Sequence, residues 1–145
     1  MVQPRERGQE VGLDVVCALD GSALAGVLAR RKVALRGGET SVAETCDPRP
    51  YWEVAHQLQS LLSPRGLVDV DVMCDDEGRI SVLDINPRFG GGYPFCHAAG
   101  ADVPMYYVTA AMGATPPAGW GSYEIGVRSS KYVDVVPFAQ AGNAA

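Results

Sequence analysis

The sequence lacks a long hydrophobic run, and no apolar stretch approaches the roughly 20 residues of a membrane-spanning helix. It also lacks a basic excess. Its net charge of -5 at pH 7 is the opposite of what general nucleic-acid and membrane-surface binders carry. Residues 1–10 are polar and charged, unlike the apolar core of a secretory signal peptide. We therefore expect a cytoplasmic protein that binds neither nucleic acid nor membranes.

Paired cysteines are also absent, because the four cysteines contain no C-x-x-C spacing and lie far apart, at Cys17, Cys46, Cys74 and Cys96. This spacing favours free thiols in a reducing compartment over a disulfide framework or a zinc site. Cys96 next to His97 keeps a thiol nucleophile open as an alternative. We interpret His97 itself as a packing or capping residue at the start of a helix.

The chain is long enough for one domain, since 145 residues with 47% hydrophobic side chains suffice for a core. Periodicity and turn residues predict strands over residues 11–19, 24–35, 67–74 and 79–86, and helices over residues 51–62 and 103–112. The first helix has one apolar stripe, made of Val54, Leu58, Leu61 and Leu62. This order predicts an α+β fold, an antiparallel sheet with flanking helices.

The predicted organisation has three parts. Residues 1–113 form a partial domain, residues 114–122 a linker, and residues 123–145 a pair of return strands with a frayed tail. No internal repeat divides the chain.

Chemistry-bearing residues concentrate where the last predicted strand of the partial domain meets Pro87 and a run of three glycines. Asp84, Asn86 and Arg88 alternate along this segment, so their side chains point to one face. A carboxylate, an amide oxygen and a guanidinium in one line are typical of a site for a metal ion and a polyphosphate. The glycines are not followed by Lys-Ser or Lys-Thr, so they form no P-loop. We expect a tight loop that lets substrate or backbone approach.

The preceding strand adds carboxylates to the same face. With an even-length turn over residues 75–78, Asp69 faces Asp84, and Asp71 faces Val82 on the diagonal from Asp84. Two carboxylates about 4 Å apart repel by about 4 kcal/mol at an effective dielectric constant of 20. A divalent cation removes this penalty, and oxygen ligands favour Mg²⁺ or Mn²⁺. An odd-length turn would break the register, and Asp69 has the alternative of facing solvent.

The other face of this predicted hairpin is apolar, with Val68, Val70, Val72, Leu83 and Ile85. We interpret it as an ordinary core face. The basic run of Arg30, Arg31 and Lys32 is interpreted as a solvated strand end.

Three segments of the chain resemble segments of the ATP-grasp ligases and follow one another in the same order, in particular as in the carbamoyl-phosphate-synthase-like group. Residues 84–94, with residues 97–101, resemble the metal-binding end of that fold. Residues 8–14 resemble the strand just after its interdomain hinge, and residues 36–40 resemble its substrate-side loop. The resemblance extends over about residues 2–108.

The resemblance implies a role for seven side chains. The metal positions are matched by Asp71, Asp84 and Asn86, and the arginine on the terminal phosphates of ATP by Arg88. A carboxylate that hydrogen-bonds the ribose is matched by Glu10. Arg36 matches a position that contacts substrate or phosphate, and Lys32 is a second candidate for binding the nucleotide. The backbone of residues 2–5 matches the hinge that reads adenine, although Pro4 replaces an acidic residue there.

By resemblance, the expected function is an ATP- and Mg²⁺-dependent ligase that converts a carboxylate into an acyl-phosphate, which an amine or similar nucleophile then displaces. The expected partners are small carboxylates and amines, with a separate chain supplying the smaller lobe of the family. One alternative is a non-catalytic nucleotide- or metal-binding remnant, or the partner subunit of a split enzyme. Another is an unrelated Mg²⁺-dependent phosphoesterase.

Overall fold

The computed structural model describes residues 7–132, which form one antiparallel sheet with helices on both faces. The strands are β1 (Gln9–Cys17), β2 (Leu24–Arg36), β3 (Glu39–Cys46), β4 (Leu67–Cys74), β5 (Ile80–Asn86) and β6 (Arg128–Ser130). The helices are α1 (Trp52–Leu62), α2 (Tyr93–Ala98) and α3 (Val103–Ala111), and a 3-10 turn (Arg49–Tyr51) precedes α1. The strand order is β5-β4-β1-β2-β3-β6, which confirms the predicted fold class.

One face of the sheet carries the main hydrophobic core. Alternate residues of β1 and β4 are at most 1% exposed there, and they are Val11, Leu13, Val15, Val68, Val70 and Val72. Helix α1 covers this face with Ala55 and Leu58, and Tyr51 packs beside them. The period of two in these strands is what directs one complete set of side chains into this core.

The opposite face is divided into an apolar half and a charged half. In the apolar half, Val16, Leu28 and Leu67 pack against side chains of the α2–α3 region, among them Tyr93 and Cys96. The charged half carries carboxylates and cations from the same three strands, β1, β2 and β4, namely Glu10, Asp14, Arg30, Lys32, Asp69 and Asp71. The charged half therefore remains available for a site.

The predicted apolar stripe of α1 is wrong at its carboxyl end. Leu61 is 82% exposed and Leu62 is 59% exposed, whereas Ala55 and Leu58 face the core. The helix ends at Leu62, and the next residue, Ser63, adopts the left-handed conformation with φ of 43°. The last turn of α1 thus extends past the edge of the surface it covers.

Two elements were missing from the prediction, β3 and α2. Strand β3 pairs along β2, and the short β6 pairs with β3. Residues 123–132 supply that single strand of the predicted return pair, and residues 133–145 lie outside the described range. In the predicted linker, Trp120 stacks on Tyr106 with ring centroids 4.3 Å apart. The linker is therefore packed against α3.

The predicted register of the β4–β5 hairpin is wrong. The turn has five residues, 75–79, between the paired Cys74 and Ile80. A register shift follows, because Val72 pairs with Val82 while the next pair joins Asp71 to Asp84. Leu83 is the extra residue of this bulge, and a bulge reverses which face the following side chains occupy.

The odd-length turn and the bulge each reverse the face on which the β5 side chains lie, so together they leave Asp84 and Asn86 on the predicted face. Asp71 lies directly opposite Asp84, and Asp69 lies opposite Asn86. The predicted core role of Leu83 and Ile85 is wrong, since they are 41% and 42% exposed. Strand β5 is an edge strand of the sheet, and Ile80 at its start is the β5 residue that packs against the core described above.

Candidate functional site

A polar cavity of about 240 Å³ lies over the charged half of the sheet and under the glycine loop. Its lining combines four cations with four carboxylates: Arg30, Lys32, Arg88, Lys131, Glu39, Asp69, Asp71 and Asp84. Asn86, Thr40, Gly38, Gly91 and Gly92 complete the wall. Strands from both edges of the sheet contribute, so the cavity draws on residues across its whole width.

The three predicted metal ligands, Asp71, Asp84 and Asn86, line this one cavity. The Asn86 amide nitrogen donates a hydrogen bond of 2.9 Å to Oδ2 of Asp84. Within residues 7–132, no group of three or more His, Cys, Asp or Glu side chains could hold a metal ion. Two carboxylates with an amide oxygen nevertheless fit Mg²⁺, which usually takes one or two carboxylates and completes its octahedron with phosphate oxygens and water.

Lys32 lies between two carboxylates. Its Nζ is 2.6 Å from Oε1 of Glu10 and 2.8 Å from Oδ2 of Asp71. Partial burial lowers the pKa of Lys32, but the hydrogen bonds to Asp71 and Glu10 outweigh it and the net direction is upward. Lys32 is therefore a fixed positive charge, and it links the predicted ribose ligand Glu10 to the predicted metal ligand Asp71.

The prediction missed a buried charge network beneath the cavity. The Arg30 side chain is 2% exposed, and its guanidinium donates to Asp14 at 2.5 Å and to Asp69 at 2.8 Å. Gly12 leaves room for it, since a Cβ there would lie 3.1 Å from the guanidinium carbon. The interpretation of Arg30 as a solvated strand end is therefore wrong. The alternation of Gly12 and Asp14 with apolar residues in β1 was the available signal.

Asp14 is the most deeply buried member of this network. Its side chain is fully buried, and its Oδ1 has no hydrogen-bond partner among the described residues. Burial raises the pKa of Asp14 to about 6, although the Arg30 charge opposes the shift. Burial costs the charged form more than a single ion pair returns.

The glycine loop lies directly on the Arg30–Asp69 ion pair. A Cβ at Gly90 would lie 2.1 Å from Oδ1 of Asp69, and a Cβ at Gly92 would lie 2.0 Å from Nε of Arg30. Any side chain would overlap these buried groups. Close approach of backbone to charged side chains is the physical reason for glycine here, which agrees with the expectation of a tight loop.

The two predicted catalytic arginines lie in different places. Arg88 lines the cavity with a side chain that is 58% exposed, and it contacts Asp69 at 3.4 Å. Arg36 does not line this cavity. It borders a neighbouring one of about 210 Å³, together with Glu39, Thr40, Ser41, Lys131 and Tyr132.

Lys131 is a further cavity residue that the prediction missed. It directly follows β6, which pairs with β3 far from Lys131 in sequence. Its local sequence carries no signal for this placement.

Cys96 and His97 have structural positions. Burial raises the pKa of the Cys96 thiol to about 12, which leaves it protonated near neutral pH. The Nδ1 of His97 lies 2.7 Å from the carbonyl oxygen of Ala101 and 3.1 Å from the Tyr93 hydroxyl. Cys96 is buried in the α2 region, whereas His97 packs on Tyr93 from the last turn of α2, so the predicted position of His97 at a helix start is wrong.

The six-stranded antiparallel sheet with its flanking helices is the fold of an ATP-grasp lobe. The family described as "ATP-grasp in the biosynthetic pathway with Ter operon" matches residues 1–131, and the chain belongs to this family. A search of curated proteins finds no match.

Solved structures with the same fold are ATP-grasp enzymes. Pyruvate carboxylase of Rhizobium etli is 16% identical with a TM-score of 0.61, covering 88% of this chain and 14% of that one. A biotin carboxylase–β,γ-ATP complex from Campylobacter jejuni is 13% identical with a TM-score of 0.59, covering 85% and 29%. N5-carboxyaminoimidazole synthetase from Staphylococcus aureus, complexed with ADP, is 17% identical with a TM-score of 0.57, covering 81% and 32%.

The chain therefore spans less than a third of the length of these proteins. At this level of identity the likeness establishes the fold. No helix among residues 7–132 is long and apolar enough to cross a bilayer.

Proposed function

We propose that this chain is the metal- and phosphate-binding lobe of an ATP- and Mg²⁺-dependent ligase that makes an acyl-phosphate from a carboxylate. The observation that carries the proposal is the pairing of Asp71 with Asp84, beside Asn86 and in one cavity with Arg88. Opposed carboxylates are unfavourable in a sheet by themselves. A bound divalent cation would offset the repulsion between the two carboxylates.

In the proposed mechanism the metal ligands are Asp71, Asp84 and Asn86. When bound, Mg²⁺ would neutralise phosphate charge during phosphoryl transfer. Arg88 donates its guanidinium hydrogens to the terminal phosphates, and its exposure leaves these donors accessible. Lys32 holds the Asp71 carboxylate in place. Positioning and charge stabilisation are the main demands of phosphoryl transfer, and these residues meet them without a general base.

The remaining parts of the proposal concern substrates and partners. A small carboxylate and an amine are the proposed substrates, and Glu10 and Arg36 keep their proposed contacts with ribose and with substrate or phosphate. The carbamoyl-phosphate-synthase-like grouping, the adenine contact of residues 2–5 and the cytoplasmic location are retained as predictions from sequence. The family match gives the phosphoesterase alternative no support.

The second candidate, which the sequence also left open, is that the chain acts as one subunit of a split enzyme or as a binding remnant. Both candidates require Mg²⁺-ATP to bind here. They differ in turnover, since a split enzyme releases ADP when its partner lobe and both substrates are added, and a remnant releases none.

The test is Mg²⁺-ATP binding to the full chain by isothermal titration calorimetry. Asp84→Ala should weaken binding by roughly 10-fold or more, because removing even an outer partner of a metal ligand costs that much. Asp84 is exposed on the edge strand, so the unfolding temperature should change little.

Asp76→Ala is the matched control, with the same loss of charge in the exposed β4–β5 turn, and it should bind like the parent. Equal affinity of the parent and Asp84→Ala would contradict the proposal, and so would a parent chain that binds no Mg²⁺-ATP.

A further inference from the structure

The four cations of the cavity are not equally neutralised. Arg30 holds the carboxylates of Asp14 and Asp69, and Lys32 holds those of Glu10 and Asp71, all at 2.8 Å or less. Each of these two cations thus faces two carboxylates within the protein. They have little remaining attraction for an added anion.

Lys131 is in a different electrostatic position. Its nearest carboxylate among residues 7–132 is Glu39, with Nζ 3.8 Å from Oε2, which is too long for a hydrogen bond. Nζ also lies 5.6 Å from the centre of the Phe95 ring and close to Gly91. The backbone of Lys131 is fixed, because its N–H donates to the carbonyl oxygen of Ser41 at 2.9 Å. The Lys131 backbone is therefore anchored beside the cavity, and no residue of 7–132 accepts a hydrogen bond from its ammonium.

The position of Lys131 also separates it from the metal side of the cavity. Asp84 and Asn86 lie on β5, at one edge of the sheet, and Lys131 follows β6 at the other edge. Lys131 further lines the neighbouring cavity with Arg36, and Glu39 and Thr40 line both cavities as well. The junction of the two cavities thus carries an incompletely neutralised cation, with about 210 Å³ of adjoining space.

We propose that Lys131 binds the carboxylate of the acceptor substrate at this junction, and that the cavity bordered by Arg36 and Tyr132 holds the rest of that molecule. A carboxylate is favoured over a phosphate group because the residues proposed for the metal and the phosphates, Asp84, Asn86 and Arg88, lie on or directly after β5, at the other edge of the sheet. The role in catalysis depends on the proposed function, whereas the carboxylate site itself does not.

The site would serve phosphoryl transfer from ATP to the acceptor carboxylate, which needs no further reactant. A carboxylate oxygen of the acceptor attacks the γ-phosphorus of ATP and forms the new O–P bond of an acyl-phosphate. The bond between that phosphorus and the β–γ bridging oxygen breaks, and ADP leaves with the electron pair. No proton is transferred, since a carboxylate is already ionised near neutral pH. Lys131 positions the attacking group, and Arg88 binds the phosphate side.

The test is a titration of the ¹⁵N-labelled chain with butyrate, followed by amide chemical shifts at constant ionic strength. Butyramide, of nearly the same shape but uncharged, is the ligand control. Butyrate should shift the amides of residues 39–41, 91 and 131 in a saturable way, and butyramide should not. Lys131→Gln should weaken butyrate binding roughly 10-fold or more, as the loss of a hydrogen bond to a charged group predicts.

Arg128→Gln is the matched variant, because it removes one positive charge from β6, which Lys131 directly follows, and Arg128 lines neither of the two cavities. It should bind butyrate within about twofold of the parent. The proposal is overturned if Lys131→Gln binds butyrate like the parent, or if butyramide produces the same shifts. Repeating the titration with inorganic phosphate separates the two anion classes, since tighter binding of phosphate than of butyrate also overturns the proposal.

Calorimetry with Mg²⁺-ATP on the same proteins separates this inference from the proposed function. Lys131→Gln should keep the parent affinity for Mg²⁺-ATP. If this variant instead loses affinity for Mg²⁺-ATP but not for butyrate, Lys131 belongs to the nucleotide site and the carboxylate site is overturned. A parent chain that binds butyrate through Lys131 but no Mg²⁺-ATP would contradict the proposed function and leave the site intact.

Discussion

The Arg30 guanidinium lies between the carboxylates of Asp14 and Asp69 and is almost completely buried. Removing one partner of a buried ion pair costs about 3–5 kcal/mol, because the remaining charge loses its compensation. The network also supports the site, since Asp69 contacts Arg88 at 3.4 Å and the glycine loop rests on it. At the scale of single residues, this is where the site is most sensitive to change.

Gly92→Ala should destabilise the protein by about 1–3 kcal/mol, the usual cost of adding a methyl group to a packed position. The new Cβ would overlap Arg30, which its two carboxylates hold in place. Gly91→Ala is the control, because its Cβ would meet only the Lys131 ammonium at 3.4 Å. Urea unfolding measures both variants. Similar losses in the two would show that the contact with Arg30 does not explain the glycine.

At the scale of elements, the β4–β5 hairpin shows how two irregularities produce a regular result. A five-residue turn alone would place Asp84 opposite Val70, on the core face. The bulge at Leu83 returns Asp84 to the face of Asp71. Bulges of this kind re-aim side chains next to functional sites, and here the bulge assembles the proposed metal ligands.

Helix α1 provides a prediction at the same scale, because its apolar residues differ in burial. Leu58 is 6% exposed and Leu61 is 82% exposed. Leu58→Ala should cost about 2–4 kcal/mol of unfolding free energy through the lost contacts and the cavity. Leu61→Ala should stay within about 0.5 kcal/mol of the parent. Comparable losses, measured by urea denaturation, would contradict the placement of α1 on the sheet.

At the scale of the whole molecule, the two faces of one sheet have separate tasks. One face supplies the core beneath α1, and the other combines an apolar half under α2 and α3 with the charged cavity. The charged half reduces the apolar area that stabilises the fold. Part of the free energy of unfolding is thereby linked to the ionisation of buried groups.

The stability of the whole chain should therefore depend on pH through Asp14. Its pKa is raised from 3.8 to about 6 in the folded protein, so its contribution to stability is complete below pH 3.8 and is lost as pH rises through about 6. The loss amounts to about 3 kcal/mol. The unfolding free energy of the parent minus that of Asp14→Asn should fall by most of this amount between pH 4 and pH 7.

Asp75→Asn is the control of opposite sign, because hydrogen bonds from Arg79 lower the pKa of Asp75. The contribution of Asp75 is present at neutral pH and is lost as pH falls through its folded value. A parent–Asp14→Asn difference that is the same at every pH would contradict the assignment to Asp14.

Local pattern in the sequence determined much of this protein. Sequence pattern predicted β1, β2, β4 and β5, including the segment that carries Asp84, Asn86 and Arg88 on one face. The family resemblance followed from the same residues and is confirmed over residues 1–131. These features are readable because each depends on neighbours within a few positions of the chain.

Only the tertiary structure decided which distant residues meet. Arg30 lies 39 positions from Asp69, and strand order brings Lys131 to a cavity whose other edge is β5. The pairing of Asp71 with Asp84 depends on both the length of the turn and the bulge at Leu83. A prediction that considers only whether the turn length is odd or even therefore gives the wrong pairs. Pairing across the sheet and burial of charge are properties of the assembled core, and so they carry no local signature.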